Sequence, residues 1–220
     1  MEGKNATLLE SFTRPDEKTL ELKNEIRLKS AMYNAAMKEM ATKIEILRED
    51  FKLKNKYNPI EHIKSRLKTP ESIISKANKK GLALNMEDIT REIRDIAGVR
   101  IVCSFTHDIY TIAEVLRKNI DMEVIEIKDY VQNPKPSGYT SYHMIVQIPV
   151  SLTTGKEIVP VEIQIRTIAM DFWASLEHKI KYKYSCDIPE SVKEDLRECS
   201  EKIKCLDHKM LSLYKVVTED

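Results

Sequence analysis

Val161-Glu162-Ile163-Gln164-Ile165-Arg166 alternates apolar and polar residues with a period of two. In an extended strand successive side chains point to opposite faces, so Val161, Ile163 and Ile165 enter a core while Glu162, Gln164 and Arg166 line up on the other side. A carboxylate, an amide and a guanidinium in one row suit a polar ligand. They equally suit a half-exposed sheet face with a cross-strand ion pair. Asp95 stands just before a second strand-like segment that contains Arg100; an aspartate there is commonly a cap or a salt-bridge partner. Two carboxylates converging from adjacent strands are the usual cradle for Mg²⁺, which takes one or two protein carboxylates and completes its shell with water and phosphates. A site of that kind implies a nucleotide.

Counter-charges follow the same logic. Between Lys64 and Lys80 there are six cations (Lys64, Arg66, Lys68, Lys76, Lys79, Lys80) against the single acid Glu71. Lys76, Lys79 and Lys80 fall at i, i+3 and i+4 of a helix, one side of it, and Ser72 lies at its N-terminus, where backbone N–H groups attract anions. The segment reads as a polyphosphate clamp or as a solvated basic face. Lys135-Pro136-Ser137-Gly138-Tyr139-Thr140-Ser141-Tyr142-His143 is a glycine-hinged loop. It could stack a nucleobase on Tyr139 beside Lys135 and His143, or tuck the tyrosine under the loop.

These residues need elements to hold them. Leu22, Ile26, Tyr33, Ala36, Met40, Ile44, Leu47 and Phe51 recur at three- and four-residue steps, one apolar stripe on a long helix that Asn58-Pro59 stops. A second helix is expected from Thr69, as N-cap, and Pro70 to Gly81. Residues 97–103, 122–130, 141–148 and 157–166 read as strands, with Thr153-Thr154-Gly155-Lys156 as the hairpin turn between the last two. Residues 107–119 and 168–183 return to helical spacing. A last helix from about 188 carries Val192, Leu196, Cys199, Ile203, Leu206, Met210, Leu213 and Val217, a heptad seam that must pack on another helix, either the long N-terminal one or a neighbouring subunit.

The 220 residues suffice for a buried core, and 36 basic against 35 acidic side chains leave a net charge of +1. That balance argues against bulk nucleic-acid binding, which needs a large basic surplus. No stretch approaches the ~18 apolar residues that span a bilayer, and the first residues lack the apolar core of a signal peptide; a cytoplasmic chain away from membranes is expected. Cys103, Cys186, Cys199 and Cys205 form no C-x-x-C pair. Disulfides are not expected, and Cys199, Cys205 and His208 read as seam or surface residues rather than zinc ligands.

Four ordered segments resemble the synthetase domain of the RelA/SpoT family, and more closely its single-domain small alarmone synthetases. They are Arg94-Asp95-Ile96-Ala97-Gly98-Val99-Arg100, Ser137-Gly138-Tyr139-Thr140-Ser141-Tyr142-His143, Val161-Glu162-Ile163-Gln164-Ile165-Arg166-Thr167 and Phe172-Trp173-Ala174-Ser175-Leu176-Glu177-His178-Lys179. The resemblance covers about residues 55 to 185. It implies an α+β fold with a mixed, mostly antiparallel sheet of about five strands flanked by helices, nucleotidyltransferase-like. The boundaries it suggests are a helical arm over 1–57, a catalytic domain over 58–185 and a packing helix over 186–220.

It also implies a reaction, transfer of the β,γ-pyrophosphate of ATP to the 3′-hydroxyl of GDP or GTP with release of AMP. By the resemblance Asp95 and Glu162 are the Mg²⁺ ligands and Glu162 the acceptor of the hydroxyl proton. Arg66 and Arg100 sandwich adenine, and Lys68, Ser72, Lys76 and Lys79 face the ATP phosphates. Tyr139 stacks on guanine, with Lys135, His143 and Gln164 around the acceptor nucleotide and Lys128 toward its phosphates. A homo-oligomer, in the family a tetramer, is the expected assembly.

Thr140 stands where some relatives carry a basic residue, Asp171 where some carry asparagine, and Glu61-His62-Ile63-Lys64 departs from a stretch that binds an activating alarmone in some tetrameric members. His107-Asp108 is the one His-Asp pair, without the partner histidines of the family's hydrolase domain, so synthesis without hydrolysis is expected. Two other readings compete: a catalytically silent nucleotide or RNA binder, and an oligomerisation scaffold built on the seam. The intact Asp95/Glu162 pair and the neutral charge speak against the first, and the polar row at 162–166 against the second.

Overall fold

The protein is described from a computed structural model covering residues 17–54, 57–118, 122–183 and 188–218. Cys186 lies outside the described residues. The chain divides into two units, Met1–Ala31 with Lys68–Ile93, and Met32–Leu67 with Arg94–Asp220. Helix α1 (Glu17–Lys54) contributes to both.

The larger unit is built on a five-stranded sheet: β1 (Ile60–Leu67), β2 (Ala97–Cys103), β3 (Glu123–Asp129), β4 (Tyr142–Leu152) and β5 (Gly155–Thr167). The spatial order is β1-β2-β5-β4-β3. Only β2 and β5 run parallel; the other neighbours are antiparallel. The α+β class with a mixed, mostly antiparallel sheet is as the resemblance implies. Val99, Ile101, Met144, Val146, Ile163 and Ile165 are buried on one face, because period-two alternation sends every second side chain there. Helix α4 (Thr106–Arg117) adds Ile109, Ile112, Ala113 and Leu116 to the core. Leu152 pairs with Gly155 across the two-residue turn Thr153-Thr154, as its sequence suggests.

Strand β1 is not among the four segments that read as strands from sequence. Its residues, Ile-Glu-His-Ile-Lys-Ser-Arg-Leu, carry few β-branched side chains, and half of them are exposed. It is an edge strand, specified by pairing with β2 and by α1: Arg48 donates from Nε to the Ile60 carbonyl (3.2 Å) and from Nη2 to that of Glu61 (3.1 Å). On α1 the expected stripe is buried at Leu22, Ile26, Tyr33, Ala36, Met40 and Ile44.

In the smaller unit, α2 (Pro70–Lys79) begins and ends as its sequence dictates. Thr69 Oγ1 accepts the Ser72 N–H at 3.3 Å, and Pro70 occupies the first turn. Gly81, at φ +66°, closes the helix with Gly81 N–H to the Asn78 carbonyl and Leu82 N–H to that of Ala77, the double bond that a left-handed residue makes possible. Ile73, Ile74 and Ala77 are buried. A short helix α3 (Met86–Glu92), not read from the sequence, is capped by Asn85 Oδ1 on the Asp88 N–H at 2.8 Å.

Two helices complete the larger unit, α5 (Ile168–Lys183) and α6 (Glu190–Thr218). The C-terminal half of the α6 heptad seam is open, Leu206, Met210, Leu213 and Val217 being about half exposed or more, while Val192, Leu196 and Ile203 are half-buried. The inward face instead carries the buried polar residues Ser200 and Asp207. Trp173 Nε1–H donates to the Leu196 carbonyl at 2.9 Å and Thr167 Oγ1–H to Asp207 Oδ2 at 2.6 Å, tying α6 to α5 and to the end of β5.

Burial pushes the Asp207 carboxyl above its ordinary range, against the downward pull of the Thr167 hydrogen bond and the His208 charge. A carboxyl whose folded pKa exceeds its unfolded one adds stability as pH falls from neutrality through the folded value. Asp207→Asn still accepts from Thr167 and should remove that part of the slope. Urea midpoints at neutral and mildly acidic pH should differ less in the variant than in the parent; equal slopes would show that Asp207 titrates normally.

Candidate active site

The register of the sheet assembles the polar face. Lys64 pairs with Arg100, Arg100 with Gln164, Gln164 with His143 and His143 with Lys128, one row crossing all five strands. The adjacent row runs Arg66, Gly98, Glu162, Ile145, Glu126. Paired residues share a face. Glu162 thus lies mid-sheet, with the β1–β2 cations on one side and His143 and Lys128 on the other. Gly98 leaves the place between Arg66 and Glu162 without a side chain.

Glu162 is held by a closed ring of hydrogen bonds. Its Oε1 receives His143 Nδ1 at 3.0 Å and its Oε2 receives Gln164 Nε2 at 2.7 Å. An ionised carboxylate only accepts, so Nδ1 carries a proton, and Nε2 is hydrogen-bonded to the Tyr139 hydroxyl at 2.9 Å. Arg166 Nη2 closes the ring by donating to Tyr139 Oη and, at 2.9 Å, to Gln164 Oε1. Burial raises the Glu162 pKa, but the His143 hydrogen bond and charge and the Gln164 hydrogen bond outweigh it and hold the carboxyl below its ordinary range, while Asp95 pulls upward. Glu162 is therefore an anion at neutral pH, fixed in direction.

Arg166 is anchored in turn. It is 3% exposed, and burial lowers its pKa against the upward pull of Tyr139 and Asp171. Its Nη1 reaches Asp171 Oδ1 at 3.4 Å, the same oxygen that Arg100 Nη1 meets at 3.0 Å, while Lys64 Nζ lies 3.5 Å from Oδ2. One buried acid on α5 thus gathers cations from β1, β2 and β5. Sequence reasoning placed Arg166 in the polar row without a role and left Asp171 unassigned; the two-residue step from Gln164 to Arg166 is the signal that points the guanidinium to that face, and none of the kind exists for Asp171.

The loop residues lie alongside. Lys135 Nζ stands 4.9 Å from the Tyr139 ring centroid and 4.5 Å from that of Tyr130, and Arg166 Cζ is 5.0 Å from the Tyr139 centroid. Lys128 is paired with Glu126 at 3.0 Å. Asp95 is half-buried in the turn before β2, near enough for its charge to act on Glu162. These two carboxylates fit Mg²⁺, a hard cation that keeps water and phosphate ligands. Among the described residues no group of three or more His, Cys, Asp or Glu side chains is arranged to hold a metal by protein alone, and Cys199 and Cys205 are exposed.

The larger unit brings together Arg66, Asp95, Arg100, Lys128, Lys135, Tyr139, His143, Glu162 and Gln164. Lys68, Ser72, Lys76 and Lys79 belong to the smaller unit, the last three on α2. There Lys80, the third member of the basic side read from the sequence, is turned to the Glu92 carbonyl at 3.0 Å, at the C-terminal end of α3.

A family profile described as a region found in RelA / SpoT proteins matches residues 65–187. The GTP pyrophosphokinase YwaC of Bacillus subtilis is 48% identical over 186 residues, 84% of this chain and 89% of the relative. The small alarmone synthetase 1 of Bacillus subtilis bound to its product pppGpp superposes with a TM-score of 0.83 at 38% identity, covering 89% of this chain and 98% of that one. The same synthetase bound to AMPCPP gives 0.76 at 36% identity over 90% of this chain and 100% of that one.

Removing Asp171 would leave Arg166 buried beside Arg100 without their shared anion, whereas Lys64 is 60% exposed on its side chain. Asp171→Ala should cost about 3–5 kcal/mol in urea denaturation, and Lys64→Ala about 1 kcal/mol or less. Equal small losses from both would deny Asp171 its organising part.

Proposed function

The chain belongs to the RelA/SpoT family, and from that membership we infer that it is a (p)ppGpp synthetase, a GTP pyrophosphokinase. It transfers the β,γ-pyrophosphate of ATP to the 3′-hydroxyl of GDP or GTP and releases AMP. The observation that carries the reading is an ionised Glu162, aimed by His143 and Gln164, between cationic strands on one side and the tyrosine loop on the other.

The acceptor's 3′-oxygen forms a bond to the β-phosphorus of ATP while the bond from that phosphorus to the α–β bridging oxygen breaks, and the bridging oxygen leaves with AMP. The hydroxyl proton passes to Glu162 or to water. Such transfer needs little covalent help; alignment and charge neutralisation supply most of the acceleration. A carboxylate with a lowered pKa is a weak base, so Glu162 contributes its fixed charge and the direction of its oxygens more than its proton affinity. Asp95 and Glu162 would hold Mg²⁺, which offsets phosphate charge in the transition state when bound. Arg66 and Arg100 are the proposed partners of adenine, and Lys68, Ser72, Lys76 and Lys79 of the ATP phosphates. Tyr139 is the proposed guanine platform, with Lys128, Lys135, His143 and Gln164 at the acceptor.

AMPCPP and pppGpp in the relative's structures support ATP and a guanosine nucleotide as ligands here. Among the described residues no helix is long and apolar enough to cross a membrane, and we place the enzyme where its nucleotides are, in the cytoplasm. Synthesis without hydrolysis is supported by His107 and Asp108, which are both engaged by the Tyr57 hydroxyl at the start of α4. The open seam on α6 supports a homo-oligomer, with the tetramer as the family's form.

Incubation with Mg²⁺, ATP and GDP should yield AMP and a guanosine nucleotide with a 3′-diphosphate, and Glu162→Gln should lower the rate by at least about a hundredfold with its fold intact. Turnover at the parent rate by that variant would remove Glu162 from the mechanism. Leu206→Asp should shift the sedimentation of the assembly to a smaller species; an unmoved boundary would take the seam out of the subunit interface.

A further inference from the structure

The loop that carries Lys135 and Tyr139 turns sharply. Gly138 N–H donates to the Lys135 carbonyl at 2.8 Å and Lys135 N–H to the Tyr139 carbonyl at 3.1 Å, with Gly138 at φ +87°. Only glycine adopts that angle without strain. The turn is also pressed against α6. A Cβ at position 138 would lie 2.8 Å from Ser200 Cβ, 3.1 Å from Ser200 Oγ and 3.5 Å from the Arg197 Cα. Ser200 is 6% exposed, and its hydroxyl donates to the Gly138 carbonyl.

Ser200 does not belong to the apolar seam of α6. It lies seven residues, two helical turns, before Asp207 and on the same face, so both residues hold α6 against the core, beside the Trp173–Leu196 hydrogen bond. Asp207 receives Thr167 at the end of β5, the strand of Glu162, and Ser200 holds the tyrosine loop. Tyr139 Oη is in turn hydrogen-bonded to His143 Nε2, and His143 donates from Nδ1 to Glu162. The helix therefore sets the loop against the strand that bears the carboxylate.

We propose that Ser200 is a positioning residue for the acceptor nucleotide: α6 is the rigid back wall of the 135–139 turn, and the Ser200–Gly138 contact sets the height of Tyr139 over the sheet. This rests on the reading that Tyr139 and Lys135 bind GDP or GTP. Ser200 does not meet the nucleotide; it fixes the backbone whose side chains do. Loss of the hydroxyl frees the turn, so the acceptor must order it on binding, and the cost falls on acceptor affinity rather than on ATP.

Steady-state kinetics with Mg²⁺, ATP and GDP test this on five proteins: parent, Ser200→Ala, Gly138→Ala, the pair Gly138→Ala with Ser200→Gly, and Tyr139→Ala. Ser200→Ala, which keeps the Cβ, should raise KM for GDP roughly threefold to tenfold, the worth of one hydrogen bond, with KM for ATP changed less than about twofold. Gly138→Ala should raise it further. Adding Ser200→Gly should recover part of that loss, since the atom met at 2.8 Å is then gone. An unchanged KM for GDP in Ser200→Ala, with Tyr139→Ala impaired, overturns the role of α6 alone. If Tyr139→Ala also leaves KM for GDP unchanged, the acceptor reading of the loop falls with it. A parallel rise in both KM values with a drop in kcat, or no recovery in the double variant, makes the contact merely structural and overturns the proposal.

Discussion

A guanidinium that can only donate and a carboxylate that can only accept stand at the two ends of one hydrogen-bond ring. Arg166 donates to Tyr139 and Gln164, Tyr139 is bonded to His143, and His143 and Gln164 both donate to Glu162. Because Arg166 has no acceptor atom and an ionised Glu162 no donor, the hydrogen bonds made by these two ends run in a fixed direction. Burying Arg166 away from water costs several kcal/mol on its own. Asp171 and three further acceptors around the guanidinium, Ser141, Tyr139 and Gln164, offset that cost. The desolvated charge thereby makes α5 and β5 dock in a single arrangement, and the same arrangement aims the carboxylate.

The sheet explains how one strand can present Glu162 to groups arriving from two sides. β5 is paired parallel to β2 and antiparallel to β4, so cations arrive from one side and the tyrosine loop from the other, with Glu162 between them. Its lowered pKa follows from the same placement. Burial alone would raise it, and the two donors reverse that direction. A protonated Glu162 could not balance a cation or attract a polarised hydroxyl. The hydrogen bonds that orient it are also those that keep it charged.

Helix α6 divides its surfaces between two tasks. Ser200 and Asp207 face inward against the 135–139 turn and the end of β5, while Leu206, Met210, Leu213 and Val217 remain open on the neighbouring face. The apolar heptad pattern alone would bury the second set. It is instead the polar pair that is buried, because each member finds a partner, and a buried hydroxyl or carboxyl is tolerated only when hydrogen-bonded. The apolar set is what a second subunit would cover.

Period-two alternation at 161–166 was enough to send Glu162, Gln164 and Arg166 to one face, and Thr69-Pro70 with Gly81 set the ends of α2, since both rest on local geometry alone. Resemblance in four short segments carried the family, the fold class and the reaction. Strand β1 escaped notice because its residues lack strand character and acquire it only by pairing with β2. The role of Asp171 was hidden for a related reason: its cations come from residues 64, 100 and 166, which only the sheet brings to one carboxylate. Local preference and alternation are properties of a few neighbouring residues and can be read from the chain. Register, pairing and the direction of a proton chain are properties of distant residues in contact, and those are decided by the fold.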